Sequence, residues 1–219
     1  TRQAPSGKLR ISLPQVKSLT VPALTAFMQR YPSIELDVDF SDRLVDVIEE
    51  GFDAVIRTGE QADSRLMSRK LGTFSMLLVA SPDYFSPKAP PQKPADLSKH
   101  AGLQHKFPST GKLEAWPLKL APAEPAPEMH TTMICNTSEA LVDVACAGLG
   151  IACLPDFMVQ DAINQQKLIT VLDSYIQYQG TFRLLWPSSK HLSPKLRVFV
   201  DFMAENFLKP KDTMLNKRG

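Results

Sequence analysis

Cysteine, histidine, net charge and long apolar runs are all scarce in this chain, and each scarcity removes a class of function. Three cysteines, Cys135, Cys146 and Cys153, occur in 219 residues. An odd count with no CxxC spacing argues against a disulfide framework and for buried, reduced thiols. The four histidines, His100, His105, His130 and His191, are scattered and share no ligand spacing with the cysteines, so no metal site is expected. No apolar stretch approaches the ~20 residues that span a bilayer, and no secretory h-region opens the chain. A cytoplasmic protein without a membrane partner is the expectation, although a mature periplasmic protein would read the same way. Basic and acidic residues nearly cancel, 25 against 23 for a net charge of +2. There is no basic stripe with which this piece would grip nucleic acid by itself.

Signatures of catalysis are equally thin. Ser109-Thr110-Gly111-Lys112 has the S-x-x-K spacing of some acyl-transfer enzymes, but no S-D-N or K-T-G element follows. Gly148-Leu149-Gly150 lacks the third glycine of a dinucleotide fingerprint, with Cys153 where it would fall. No catalytic residue and no cofactor are assigned.

What is present is patterning. The composition, 43% hydrophobic and 22% charged, is that of a globular chain, and the length suits one large domain or two sub-lobes. Leu9 to Leu13 alternates like a strand and stops at Pro14. Val21, Leu24, Phe27, Met28 and Tyr31 recur at helical spacing until Pro32. Ile34, Leu36, Val38 and Phe40 alternate with Glu35, Asp37 and Asp39, a strand with an acidic side, as at a sheet edge or an interface. A helix is expected next, capped by Ser41 or Asp42, with Leu44, Val47 and Ile48 buried and Gly51 as its left-handed end. The strand Asp53 to Arg57 closes this set. Strand–helix alternation with short joints is the grammar of a parallel α/β sheet.

Phe74 to Ala80 reads as a strand, and from Ser81 to Pro127 dense prolines exclude long helices. Regularity returns with a strand over His130 to Cys135, a helix from about Ser138 to Ala147, and strands over Ile151 to Leu154 and Thr181 to Trp186. Leu196, Phe199, Val200, Met203 and Phe207 mark a final helix.

Taken together, these landmarks resemble one known family. Ser41 to Gly59, S-D-R-L-V-D-V-I-E-E-G-F-D-A-V-I-R-T-G, is similar to the E-E-G…I-R-x-G signature of LysR-type effector-binding domains. Asp63-Ser64, Ser68 to Gly72, Ala80 to Phe85, Pro94 to Leu97 and Thr137 to Pro155 follow in the family's order, so the resemblance spans roughly residues 8–207. It implies an α/β fold of two Rossmann-like lobes, of the type 2 periplasmic-binding-protein kind, joined by two crossovers. Residues 1–7 would be residual linker, 8–81 plus 187–208 lobe I, 82–186 lobe II, and 209–219 a flexible tail. The family's winged helix-turn-helix would precede Thr1, so DNA would be a partner only through that missing head.

In open α/β lobes, ligands sit at the carboxyl ends of strands, beside helix N-termini. The implied contacts of a small, carboxylated effector between the lobes are Ser12, Leu13, Pro14, Gln15, Ser18, Ser41, Asp42, Thr58 and Gly59, with Thr137, Ser138, Ile151 and Leu154 from lobe II. Simple alternatives stand beside these. The hydroxyls could only cap helices, Leu13, Ile151 and Leu154 could be plain core, and Arg57 could pair with Asp53 or Asp42. The family arrangement also implies a homodimer through Leu24, Phe27, Met28, Tyr31 and Val38, and a tetramer in the full-length protein. A free-standing solute-binding protein of a transport system is the alternative function.

Overall fold

The computed structural model describes residues 3–60, 63–189 and 191–208. In chain order these form β1 (Gly7–Leu13), α1 (Lys17–Arg30), β2 (Ile34–Phe40), β3 (Ala54–Thr58), β4 (Leu66–Phe74), β5 (Met76–Ala80), β6 (Ala101–His105), β7 (His130–Cys135), α2 (Ser138–Cys146), β8 (Ile151–Pro155), α3 (Asp156–Asn164), β9 (Ile169–Val171), β10 (Gly180–Pro187) and α4 (Pro194–Asn206). The chain divides into two compact units. One comprises residues up to Thr73 with those from Thr181 onward, and the other Phe74–Gly180. Each holds a five-stranded sheet, ordered β2-β1-β3-β10-β4 and β7-β6-β8-β5-β9. Strands β5 and β10, placed in lobe I and lobe II by the sequence, therefore belong to the opposite units. Pro82 and Pro187 end or follow strands that have already changed sheet. The linker's first two residues and the tail 209–219 lie outside the described residues. Among the described residues no helix is long and apolar enough to cross a membrane.

In the first unit β1 is parallel to β2 and β3, whereas β10 runs antiparallel to β3. The parallel sheet expected from strand–helix alternation is thus mixed. β2 is an edge strand, as its acidic side suggested, and Lys8 of β1 reaches Glu35 at 3.7 Å. The other edge, β4, was not read as a strand, because Met67 to Lys70 are all exposed and show no alternation. Charged edge residues of this kind blunt strand pairing with other chains.

The helix expected after Ser41 does not form; residues 47–51 make a turn instead. Its would-be first-turn amides are captured by side chains. Asp46 N–H donates to Glu50 Oε2 (2.8 Å), Arg43 N–H to Ser41 Oγ (3.1 Å), and Arg43 clamps the Glu50 carboxylate. Such side-chain bonds compete directly with helical ones. Gly51 still takes the left-handed conformation the sequence assigned it, at φ 71°.

α1 and α4 meet through aromatic rings. The Phe27 ring lies 5.2 Å from Phe199, 5.4 Å from Phe202 and 5.1 Å from Tyr31, and Phe27 has no exposed surface. This corrects the dimer assignment for Phe27 and for Leu24, which is also buried. Both are consumed by the unit's own core, so neither is available to a partner. Met28 is exposed, while Tyr31 and Val38 are half-buried.

In the second unit β6 is parallel to β7 and β8, and β5 pairs antiparallel with β8 and β9. Its core gathers Val79, Leu103, Leu141, Ala145, Ala152, Leu154, Val159 and Leu168. Gly180 is required by packing, since a Cβ there would fall 2.2 Å from the Phe74 ring. Of the three free thiols Cys153 is buried, and burial pushes its pKa far up. Cys135 and Cys146 are half-buried, against the expectation for all three. The Tyr84 hydroxyl accepts from Ala101 N–H (3.0 Å) and is hydrogen-bonded to Nδ1 of the buried His100 (3.0 Å). Burial, then the nearby Lys88 charge, holds the His100 pKa below its ordinary value.

Two outcomes follow from this packing. Phe27→Ala should destabilise the fold by about 3–5 kcal/mol in denaturant unfolding, whereas Met28→Ala should stay within about 0.5 kcal/mol. Because the folded state prefers neutral His100, its contribution is complete above about pH 6.5 and lost as pH falls through the depressed folded value. Urea unfolding at about pH 7.5 and about pH 5.5 should show that loss, and His100→Gln should reduce it.

Candidate functional site

The carboxyl ends of β1, β2 and β3 converge on one half-buried cation, Arg57. Ser12 and Asp39 face each other in the β1–β2 register, and Ser12 Oγ–H donates to Asp39 Oδ2 at 3.0 Å. Ser12 Oγ in turn accepts from Arg57 Nη2 at 2.7 Å. Arg57 Nε donates to the Arg43 carbonyl (3.2 Å) and Nη1 to the Ile56 carbonyl (2.8 Å). The guanidinium is therefore held by neutral oxygens, where sequence reasoning favoured pairing with Asp42 or Asp53. Burial lowers the Arg57 pKa, and the charges of Asp42 and Asp39 oppose that shift, so the group remains a cation. Its three hydrogen bonds use three of the five N–H groups an arginine carries.

Gln15 and Asp42 lock the adjoining turns together. Gln15 N–H donates to Asp42 Oδ1 (3.0 Å), and Gln15 Nε2 to the Phe40 carbonyl (3.2 Å). Of the predicted contacts in this unit, Gln15, Ser18, Asp42, Thr58 and Gly59 are exposed and Ser41 is half-buried. Ser12, Leu13 and Pro14 are buried. Leu13 is core, and the Ser12 hydroxyl is already committed to Asp39 and Arg57, so Ser12 acts as a positioning residue. Both were expected at the effector, and in the structure neither is open to solvent.

Thr58 and Gly59 border a cavity of about 360 Å³ on one face of the first sheet. Val47, Val55, Leu66 and Leu185 form its apolar wall, and Arg57, Arg65, Arg183, Glu60 and Asp63 its charged part. Asp63 is engaged by Arg65 at 2.7 Å, which holds its carboxyl at about 2. Arg183 and Glu60 were not singled out from sequence. The signal available was a lone arginine inside the apolar run Thr181-Phe182-Arg183-Leu184-Leu185-Trp186.

In the second unit, His105 and Cys135 are register partners at the ends of β6 and β7. His105 Nδ1 contacts Glu114 Oε2 at 2.8 Å, and Cys135 Sγ–H donates to the Thr137 carbonyl at 3.3 Å. Thr137 and Ser138 are half-buried where α2 begins, and the Thr137 side chain makes no capping bond. Ile151 and Leu154, expected at the ligand, have no exposed surface; β8 is central in its sheet, and both are core.

Residues 2–208 match the family model described as the LysR substrate binding domain. Among curated relatives, the HTH-type transcriptional regulator CrgA of Neisseria meningitidis is 33% identical over 93% of this chain and 68% of its own length. PgrR of Escherichia coli, also an HTH-type transcriptional regulator, is 31% identical over 90% of the chain and 67% of its own. The chain thus spans about two thirds of these relatives. The solved CrgA regulatory domain superposes with a TM-score of 0.82 at 31% identity, covering 93% of this chain and all of that one. The full-length virulence activator AphB of Vibrio cholerae gives 0.82 at 29% identity, covering 94% and 70%.

If Ser12 is a positioning residue, Ser12→Ala should cost about 1–3 kcal/mol in urea unfolding, because Asp39 and Arg57 both lose a partner. Ser18→Ala, at an exposed site, should change stability by less than about 0.5 kcal/mol.

Proposed function

The chain belongs to the LysR substrate binding domain family, the effector-binding part of LysR-type transcription regulators, and from that premise we propose that its effector is a small carboxylated metabolite. The observation that carries this reading is Arg57, a half-buried guanidinium with unused N–H groups at the ends of three strands. Arginine matches a carboxylate geometrically, and in a site of reduced dielectric the paired hydrogen bonds are strong. The proposed contacts in the first unit are Gln15, Ser41, Thr58 and Gly59, and in the second Thr137 and Ser138.

The role is binding, with no catalytic step. In a full-length regulator, an N-terminal winged helix-turn-helix would contact DNA in the cytoplasm. Dimers through the exposed parts of α1 and β2, such as Met28, Tyr31 and Val38, and tetramers built from them would set the spacing of the DNA-binding heads. An effector acts by preferring one arrangement over another, and couplings of about 1–3 kcal/mol are typical. The transport-protein alternative is disfavoured by the relatives, which carry the names of transcriptional regulators.

Thermal-shift screening of the chain against small aromatic and aliphatic acids tests this reading. An effector at 100 times its Kd should add about 2.7 kcal/mol of stability. Ser41→Ala and Thr137→Ala should each diminish the shift. A shift that both variants leave intact would place the ligand elsewhere.

A further inference from the structure

Arg183 is the least satisfied charged group among the described residues. Its Nε is sealed from solvent without a hydrogen-bond partner. Its ion-pair partner is Glu60, 3.4 Å from Nη2, through a side chain that is 89% exposed. That distance lies beyond the usual range for a charge-assisted hydrogen bond. Register adds a second demand. Arg183 sits directly opposite Arg57 in the antiparallel β3–β10 pair, and like charges so placed destabilise a sheet. Val55 and Leu185 oppose each other two residues away, so all four side chains share one face, which is the wall of the 360 Å³ cavity.

A cavity with an apolar wall and two opposed arginines calls for an anion with an apolar body. The nearby acids do not supply it. Asp63 is held by Arg65, and Asp46 Oδ1 accepts from Glu49 N–H. Glu60 makes one long contact from a solvated arm.

We propose that this cavity is an acid-binding pocket in which Arg183 grips a ligand carboxylate side-on through Nε and Nη2, and that Glu60 is a resident stand-in which the ligand displaces. The inference rests on the sensor reading and adds to it an acid pocket inside the first unit, with its own anchor and ligand class: a monocarboxylate whose hydrophobic part packs on Val47, Val55, Leu66 and Leu185. A volume near the lower end of ordinary ligand pockets, roughly 300–1,000 Å³, suits a single ring or a short aliphatic chain. Glu60 gives the pocket a threshold. The ligand must outcompete a tethered carboxylate, so affinity is set by how well its apolar part fills the wall.

Benzoate titrated into the chain, with benzamide as its uncharged counterpart, tests the assignment by amide chemical-shift changes. Benzoate should perturb residues 55–60 and 183–185, and benzamide should bind at least about 10-fold more weakly, the charge-assisted pair being lost. Arg183→Gln should weaken benzoate by at least about 10-fold. Glu60→Gln should tighten it by removing the competitor. That substitution lies on a side chain too exposed to disturb folding, which an unchanged melting curve will verify. Absence of benzoate binding would overturn the pocket, as would affinities unchanged in both variants. If acids still stabilise the chain and Ser41→Ala and Thr137→Ala abolish the effect while Arg183→Gln does not, the pocket fails and the sensor reading stands.

Discussion

A guanidinium taken out of water must be given hydrogen bonds, and the carboxyl edge of the first sheet is organised around that demand at Arg57. Ser12 on β1 supplies one acceptor and is itself anchored on Asp39 of β2, so two strand ends are tied to a third. The Arg43 carbonyl supplies another, which fixes the turn after β2 over the end of β3. That turn is closed by Arg43 and Glu50, whose interaction also holds the Glu50 carboxylate below its ordinary pKa. Loss of the helix between β2 and β3 is the structural cost of this arrangement. The amides of Arg43, Asp46 and Glu49 serve side chains, and Leu44 to Val47 line the pocket on the sheet face.

The same demand, incompletely met, recurs at Arg183. The two arginines are neighbours across β3 and β10, yet they are treated differently. Arg57 is enclosed by neutral oxygens, whereas Arg183 leans on an exposed glutamate and keeps a buried N–H without a partner. Arg57 is the better satisfied cation, with two of its five N–H groups still unused. The less satisfied one, beside a cavity and an apolar wall, is where a ligand has most to offer, because it restores hydrogen bonds that desolvation has already removed.

Much of the architecture was legible in the sequence because hydrophobic period and turn residues agree. Strands β1, β2, β3, β7, β8 and β10 and helices α1, α2 and α4 all follow apolar spacing bounded by proline or glycine. The ordered landmarks from Ser41 to Pro155 carried the family. Edge strand β4 was missed because its exposed run of Met67 to Lys70 has no alternation, and α3, which starts directly after Pro155, was not read as a helix. The site was less legible. Hydroxyls at strand ends look alike in sequence whether buried like Ser12 or half-open like Ser41, and the difference lies in which neighbouring strand supplies an acid. Nor does spacing reveal that Arg57 and Arg183 are opposite each other, since a strand pairing between residues 126 positions apart is set by the route of the chain through the second unit.

The proposed ligand sets a carboxylate on the arginine-bearing face of the first sheet. Amide hydrogen exchange of the chain with and without a saturating small acid addresses this placement most directly. Slowed exchange concentrated in residues 41–60 and 181–185 is the expected result. Protection confined to other segments, with these amides exchanging at their unliganded rates, would contradict it.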